Sequence, residues 1–159
     1  MSPITICLVG CGSAKLERPA RAKDLYTGSL FVAARAYAEQ CDDWRILSAR
    51  YGLLNPDAKV APYNMRLPSR ELERRQWGLI AATGLGHEMR GIGYEVVVLA
   101  GDDYAEPVCR VLEERRIVCR RPLRGLGIGA RLQWLRREAA AFGQNCAADV
   151  TERARRGDT

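Results

Sequence analysis

The chain switches between short, almost continuously apolar runs and longer stretches whose apolar positions recur at helical spacing. The short runs are Ile4–Val9, Trp44–Ser48, Tyr94–Ala100 and Ile117–Arg121. The first and third are nearly unbroken in Val, Ile, Leu and Cys, as strands buried on both faces are. Between them, Ser29–Gln40 brings Phe31, Ala34 and Ala38 to one side of a helix. Arg70–Arg90 collects Leu72, Gln76, Leu79, Ile80 and Thr83 on one face and charge on the other, which predicts that this face turns inward, with Ser69 as the N-cap. Glu106–Arg115 aligns Val108, Val111 and Leu112, and Ala130–Phe142 aligns Leu132, Leu135 and Ala139. Strands alternating with helices predict an α/β fold. The expected architecture is a single three-layer domain over residues 1–143, with a mostly parallel sheet of about four to five strands flanked by helices. Residues 144–159 read as a polar, flexible tail.

Composition narrows the classes. The chain has 159 residues, 47% of them hydrophobic, enough for one domain with its own core. It contains no apolar run of about 18 residues, so no membrane span is expected, and the N-terminus lacks a basic flank and a cleavage signal. A cytoplasmic protein is the resulting expectation. A net charge of +6, from 25 basic and 19 acidic residues, favours polyanionic partners such as nucleic acid or nucleotides. The six cysteines form no C-x-x-C pair and His87 is the single histidine, so no zinc pattern is present and no residue is assigned to a metal; a site made only of carboxylates, such as Asp102 with Asp103, is the one metal alternative left open. With this much aliphatic core, a disulfide framework is not expected either; Cys7, Cys109 and Cys119 read as small core residues. No cofactor motif is present. The P-loop and the G-x-G-x-x-G dinucleotide fingerprint are both missing.

Open α/β sheets bind ligands beyond the carboxyl ends of their strands, so the residues that follow each strand are the candidates. After the first come Gly10, Cys11, Gly12, Ser13 and Lys15. Glycines permit close backbone approach, Ser13 offers a hydroxyl, and Lys15 offers a charge for a phosphate or carboxylate; the alternative is a tight turn with a solvated lysine. For Cys11, packing or hydrogen bonding is favoured over a nucleophilic role, since no histidine is near to activate it. Tyr26 and Ser29, in DLYTGSLF, share that rim or cap the first helix. After the second strand, Ile46–Leu67 (ILSARYGLLNPDAKVAPYNMRL) becomes a long, proline-punctuated polar stretch. It carries Ser48, Arg50, Tyr51, Asp57, Lys59, Tyr63, Asn64 and Arg66. A connection this long in a small domain is usually functional, and its side chains supply stacking faces, amides and charges. After the third strand come Asp102 and Asp103. Asp103 reads as a helix cap and Asp102 as the catalytic carboxylate. After the fourth, Arg124 precedes Gly125, Gly127 and Gly129, either a backbone track for a ligand or a packing turn.

The blocks CGSAK, DLYTGSLF, ILSARYGLLNPDAKVAPYNMRL, VVVLAGDDY and PLRGLGIGARLQWL, in this order, resemble a bacterial and phage family described as a domain of unknown function. In part they also resemble the YaaA-like peroxide-stress proteins, whose S-P-A-K, L-Y-T-G and L-S-x-x-Y-G-x-L-x-P blocks run in the same order. Here Cys11-Gly12 precedes Ser13 in place of the S-P form. The resemblance extends distantly to archaeosine-synthesis and DNA glycosylase-like domains. It implies a site for a nucleoside or nucleic acid and carries over Ser13, Lys15, Tyr26, Ser48, Tyr51, Pro62 and Tyr63 as site or site-shaping residues. The resulting expectation is an enzyme that cleaves or exchanges an N-glycosidic bond at a modified base. Asp102 and Lys15 are its expected catalytic residues. Cys11, Gly12, Ser13, Tyr26, Ser29, Ser48, Arg50, Tyr51, Tyr63, Asn64, Arg124 and Gly127 are expected to bind substrate. The alternative is a DNA-, RNA- or nucleotide-binding stress protein without chemistry, using the basic run Arg70–Arg75. A redox-active Cys11 ranks third.

Overall fold

The computed structural model describes residues 2–156, and side-chain surroundings up to residue 142. The strands are β1 (Ile4–Gly10), β2 (Ala20–Arg21), β3 (Asp43–Ser48), β4 (Gly52–Leu54), β5 (Lys59–Val60), β6 (Tyr94–Leu99) and β7 (Cys119–Arg120). The helices are α1 (Ala22–Leu25), α2 (Ser29–Ala38), α3 (Glu71–Glu88), α4 (Asp102–Glu114) and α5 (Ile128–Arg156). The expected α/β layers are borne out. Five strands form one sheet in the order β4-β3-β1-β6-β7, parallel except for β4, which pairs antiparallel with β3. β2 and β5 form a separate two-stranded ribbon. Helix α5 runs through the segment read as a polar tail as far as Arg156; residues 157–159 of that segment lie outside the described residues.

β1 is the central strand and its side chains alternate between two cores. Ile6 and Leu8 pack with Trp77, Ala81, Leu85, Val108 and Leu112 of α3 and α4. Cys7 and Val9 pack on the other face with Phe31, Ala34 and Ala38 of α2 and Leu135 of α5. This alternation is the period of two that any strand imposes, here with both faces covered.

Several local expectations are corrected. α3 is capped by Arg70 without a side-chain hydrogen bond, so Ser69 is not its cap. The face of α3 expected to be buried points outward, while Trp77, Gly78, Ala81, Ala82 and Leu85 point in. Small residues allow close approach of the sheet and α4, and that contact outranks the larger aliphatics on the opposite side. The helix after β6 begins at Asp102, and its N-cap is Gly101 rather than Asp103. The cysteines also depart from expectation, because Cys7 pairs with Cys41 and Cys109 with Cys119 as disulfides, with Cα–Cα distances of 6.5 and 5.8 Å. Both separations fall in the bridging range. Pairings of this kind follow from packing between elements, and spacing along the chain does not announce them. Among the described residues, no helix is long and apolar enough to cross a membrane.

Candidate functional site

The chain moves outward from β1 to β3 and then returns to β6 on the other side of β1. The switch point of the sheet therefore lies between the carboxyl ends of β1 and β6. A cavity of about 530 Å³ opens there. Gly10 makes the approach possible: a Cβ on it would stand 2.8 Å from the Cβ of Ala100, so only glycine lets the two strand ends close up. Residues of the β1 loop line the cavity, including Cys11, Gly12 and Ser13, as do Gly101, Asp103 and Tyr104 beyond β6.

Three helices begin at this cavity. α2 presents Gly28, Ser29, Leu30 and Phe31, α4 presents Gly101, Asp103 and Tyr104, and α5 presents Ile128, Arg131 and Leu132. The caps of α2 and α4 are glycines, with no side chain bonded to the first-turn N–H groups. Those donors, with the positive ends of the helix dipoles, favour an anionic group. Arg131 adds a full positive charge and is fixed by donating from Nε to the Leu126 carbonyl at 2.7 Å. Phe31, Leu123, Leu132 and Leu135 provide apolar wall.

A second polar group lies next to the first across Cys11. The Ser48 hydroxyl is fully buried at the end of β3 and accepts the backbone N–H groups of Arg50 and Tyr51, both at 3.2 Å. With both lone pairs engaged, it donates its own hydrogen to Tyr63 Oη at 2.6 Å, and Tyr63 donates onward to Tyr26 Oη at 2.5 Å. Lys15 Nζ lies over the Tyr63 ring at 4.6 Å and the Tyr26 ring at 5.7 Å, and donates to the Ser13 carbonyl at 3.3 Å. Tyr51 meets Tyr63 edge-on at 5.6 Å and carries the Arg50 guanidinium over its ring at 5.4 Å. On the cavity side, Cys11 Sγ lies 3.4 Å from Tyr104 Oη, and the Tyr104 ring stands edge-on to Trp77.

Burial raises the phenols of Tyr26, Tyr63 and Tyr104 above their ordinary value near 10; the hydrogen bond to Tyr26 raises Tyr63 further, and that to Cys11 raises Tyr104 further. A group whose pKa is raised by folding stabilises the fold fully below its unfolded pKa and loses that contribution as pH rises. The folded chain should therefore lose stability steeply above about pH 10. Tyr63→Phe should flatten that alkaline limb while lowering stability at neutral pH by about 1–3 kcal/mol, because it removes both the bond from Ser48 and the bond to Tyr26. Chemical denaturation across the alkaline range measures both effects.

The sequence-predicted residues are thus divided. Cys11, Gly12, Ser13 and Ser29 line the cavity, whereas Tyr26, Ser48, Tyr63, Lys15, Arg50 and Tyr51 build the adjoining network. Lys15 is engaged with aromatic rings and does not line the cavity. Asp102, expected as the catalytic carboxylate, turns away and accepts from Arg121 Nη2 at 2.7 Å, while Asp103 takes the cavity position. Asp57 is held by Lys23 at 2.9 Å, which keeps its carboxyl below the ordinary range and occupies it outside the cavity. Arg124, Gly127 and Asn64 are exposed and do not line the cavity; the Gly127 carbonyl instead accepts from Arg131 N in the first turn of α5. In the glycine-rich turn only Gly125 takes a positive φ, of 75°. Asp103, Tyr104 and Arg131 were missed as cavity residues. Their signal was position in the first turn of a helix that follows a strand end.

The comparisons with known proteins fit this picture at the level of family. A family model described as Family of unknown function (DUF6884) matches residues 6–137, which spans both the cavity and the tyrosine network. The chain is also similar to a Bacillus subtilis (strain 168) protein described as Uncharacterized protein YfjM. The two are 29% identical over 144 residues, covering 83% of this chain and 93% of that one. An uncharacterised domain family was expected and is borne out. The finer likeness to YaaA, archaeosine-synthesis and glycosylase-like domains rests on the quoted motifs alone.

Proposed function

The chain belongs to the DUF6884 family of unknown function, and from that premise we propose that it binds a nucleoside or nucleotide in the strand-end cavity and hydrolyses its N-glycosidic bond. The observation that carries this reading is the meeting of three helix N-termini, Arg131 and one carboxylate, Asp103, around a single half-apolar cavity. The cavity volume lies within the range of small-ligand sites. The open N–H groups and Arg131 take the anionic group, and the Phe31, Leu123 and Leu132 wall takes a base. Asp103 then faces the sugar. In the reaction the C1′–N bond breaks with its electron pair going to the base, and water oxygen bonds to C1′. Asp103 stabilises the developing sugar cation and accepts a proton from the water, and that proton then passes to the released base, which restores the carboxylate.

The binding-only alternative leaned on Arg70–Arg75. Those arginines are engaged by acids: Arg74 by Asp103 at 3.3 Å, Arg75 by Glu71 at 2.7 Å and Arg70 by Glu73 at 4.0 Å. The cavity therefore supports a ligand better than this helix supports a polyanion.

A panel of ordinary and modified nucleosides and their 5′-monophosphates, followed by chromatography for released base, tests the reading. At least one compound should release base, and Arg131→Ala should raise Kd for the monophosphate over tenfold while affecting the nucleoside less, since a charged hydrogen bond is worth about 1.5–3 kcal/mol. Binding without base release would leave the non-catalytic alternative standing. Absence of binding across the panel would remove the proposed reading.

A further inference from the structure

We propose that the Cys109–Cys119 bridge is a reducible clamp: two-electron reduction by a dithiol releases β7 from α4 and loosens the cavity wall that the chain builds after β7. Nothing in the clamp depends on what the cavity binds.

The chain does not need cross-links to build a core. It has 159 residues and covers both faces of its sheet with apolar clusters. Disulfide-dense folds are those too small for such a core. A bridge here therefore acts locally, and the two bridges act in different places. Cys7 is fully buried in the central strand and is joined to Cys41, between α2 and β3. Cys109–Cys119 joins α4 to the terminal strand of the sheet, where Cys119 is half-buried.

β7 has few other ties. It is two residues long and pairs on one side, Cys119 with Val96 and Arg120 with Val97. The turn that leads into it passes through Arg116 with a φ of 61°, a conformation that a residue with a side chain keeps only where its surroundings hold it. Two links fasten the segment to α4: the bridge, and Arg121 donating from Nη2 to Asp102 at 2.7 Å. Their spacings match. Asp102 and Cys109, seven apart, share one face of α4, and Cys119 and Arg121, two apart, share one side of an extended chain. The chain then runs on to Leu123, 3% exposed, and to Ile128, Arg131 and Leu132, all of which line the cavity. This wall hangs from β7.

In the reduction, a thiolate of the dithiol attacks the sulfur of Cys119, the more exposed partner. The S–S bond breaks with its electron pair going to Cys109 Sγ, which takes up a proton. The second thiol of the reductant then displaces Cys119 from the mixed disulfide. The bridge gains two electrons and two protons, and the dithiol leaves as its own disulfide.

Hydrogen exchange of the full air-oxidised chain, followed by mass spectrometry before and after dithiothreitol, tests the clamp. Reduction should speed exchange across residues 119–126 by about tenfold or more, while β1 and α2 keep their protection. The variant Cys109→Ala with Cys119→Ala should exchange fast in this segment with or without dithiothreitol. Unchanged exchange of the segment on reduction of the wild type overturns the proposal, and so does unfolding of the whole chain. A double variant that still responds to dithiothreitol assigns the effect to Cys7–Cys41 and overturns it too. Free thiols at both Cys109 and Cys119 in the air-oxidised chain, read by alkylation, overturn it at the outset.

Discussion

Asp103→Asn is expected to abolish base release, with a fall of about a hundredfold or more, the usual worth of a positioned acid or base. The fold should survive, because Asp103 is largely exposed and its ion pair with Arg74, at 3.3 Å, is of the surface kind that contributes little. Asp102→Asn should do the reverse. Asp102 engages Nη2 of Arg121, whose side chain is mostly buried and whose Nε has no hydrogen-bond partner, so its loss leaves a guanidinium poorly compensated. Turnover should persist in Asp102→Asn while thermal stability drops. Measuring both quantities in both variants separates the two carboxylates. Equal turnover in Asp103→Asn and the wild type would refute the assigned role.

The largest stability effect is expected at Gly78. This residue is the point where α3 meets α4, and a Cβ there would lie 2.6 Å from both the carbonyl carbon and the Cβ of Pro107, and 2.7 Å from its carbonyl oxygen. Backbone cannot yield as a flexible side chain does, so the helices must part. Alanine is about 1 kcal/mol better than glycine in a helix interior, yet overpacking of this kind costs about 1–3 kcal/mol and the parting of two buried faces adds to it. Gly78→Ala should therefore destabilise by about 2 kcal/mol net, lowering Tm by roughly 4–8 °C in a chain of this size. Gly84→Ala on the same helix is the control: its Cβ would meet Leu53 at an ordinary 3.7 Å, so propensity should win and Tm should hold or rise. Thermal unfolding of the two variants side by side decides the matter.

Much of this architecture was legible from residues alone. β1 and β6 announced themselves as unbroken apolar runs, because a strand covered on both faces has no polar side to show. α2 was readable from Phe31, Ala34 and Ala38, all buried as expected. α3 was not, because it is apolar on two sides and periodicity alone cannot say which side meets the sheet. The decision fell to Gly78, Ala81 and Ala82, whose smallness matters only once a partner helix is in place. β4 and β5 escaped notice within the long segment after β3, since strands of three and two residues carry too few positions to establish a period.

For the candidate site, the sequence by itself pointed to the ends of the parallel strands and named four of the residues that line the cavity, Cys11, Gly12, Ser13 and Ser29, because topology forces the loops after β1 and β6 to the same end of the sheet. It also singled out Ser48, Tyr26 and Tyr63. Only the tertiary structure decided that these three form one hydrogen-bonded chain, that Lys15 lies over its rings, and that the Cys11 thiol stands between that chain and Tyr104. It also decided between Asp102 and Asp103. Neighbours in sequence at the start of a helix point about 100° apart, and which of them faces a cavity depends on how the helix is rotated against its sheet. Packing of α4 against β6 and α3 sets that rotation, and no local pattern encodes it.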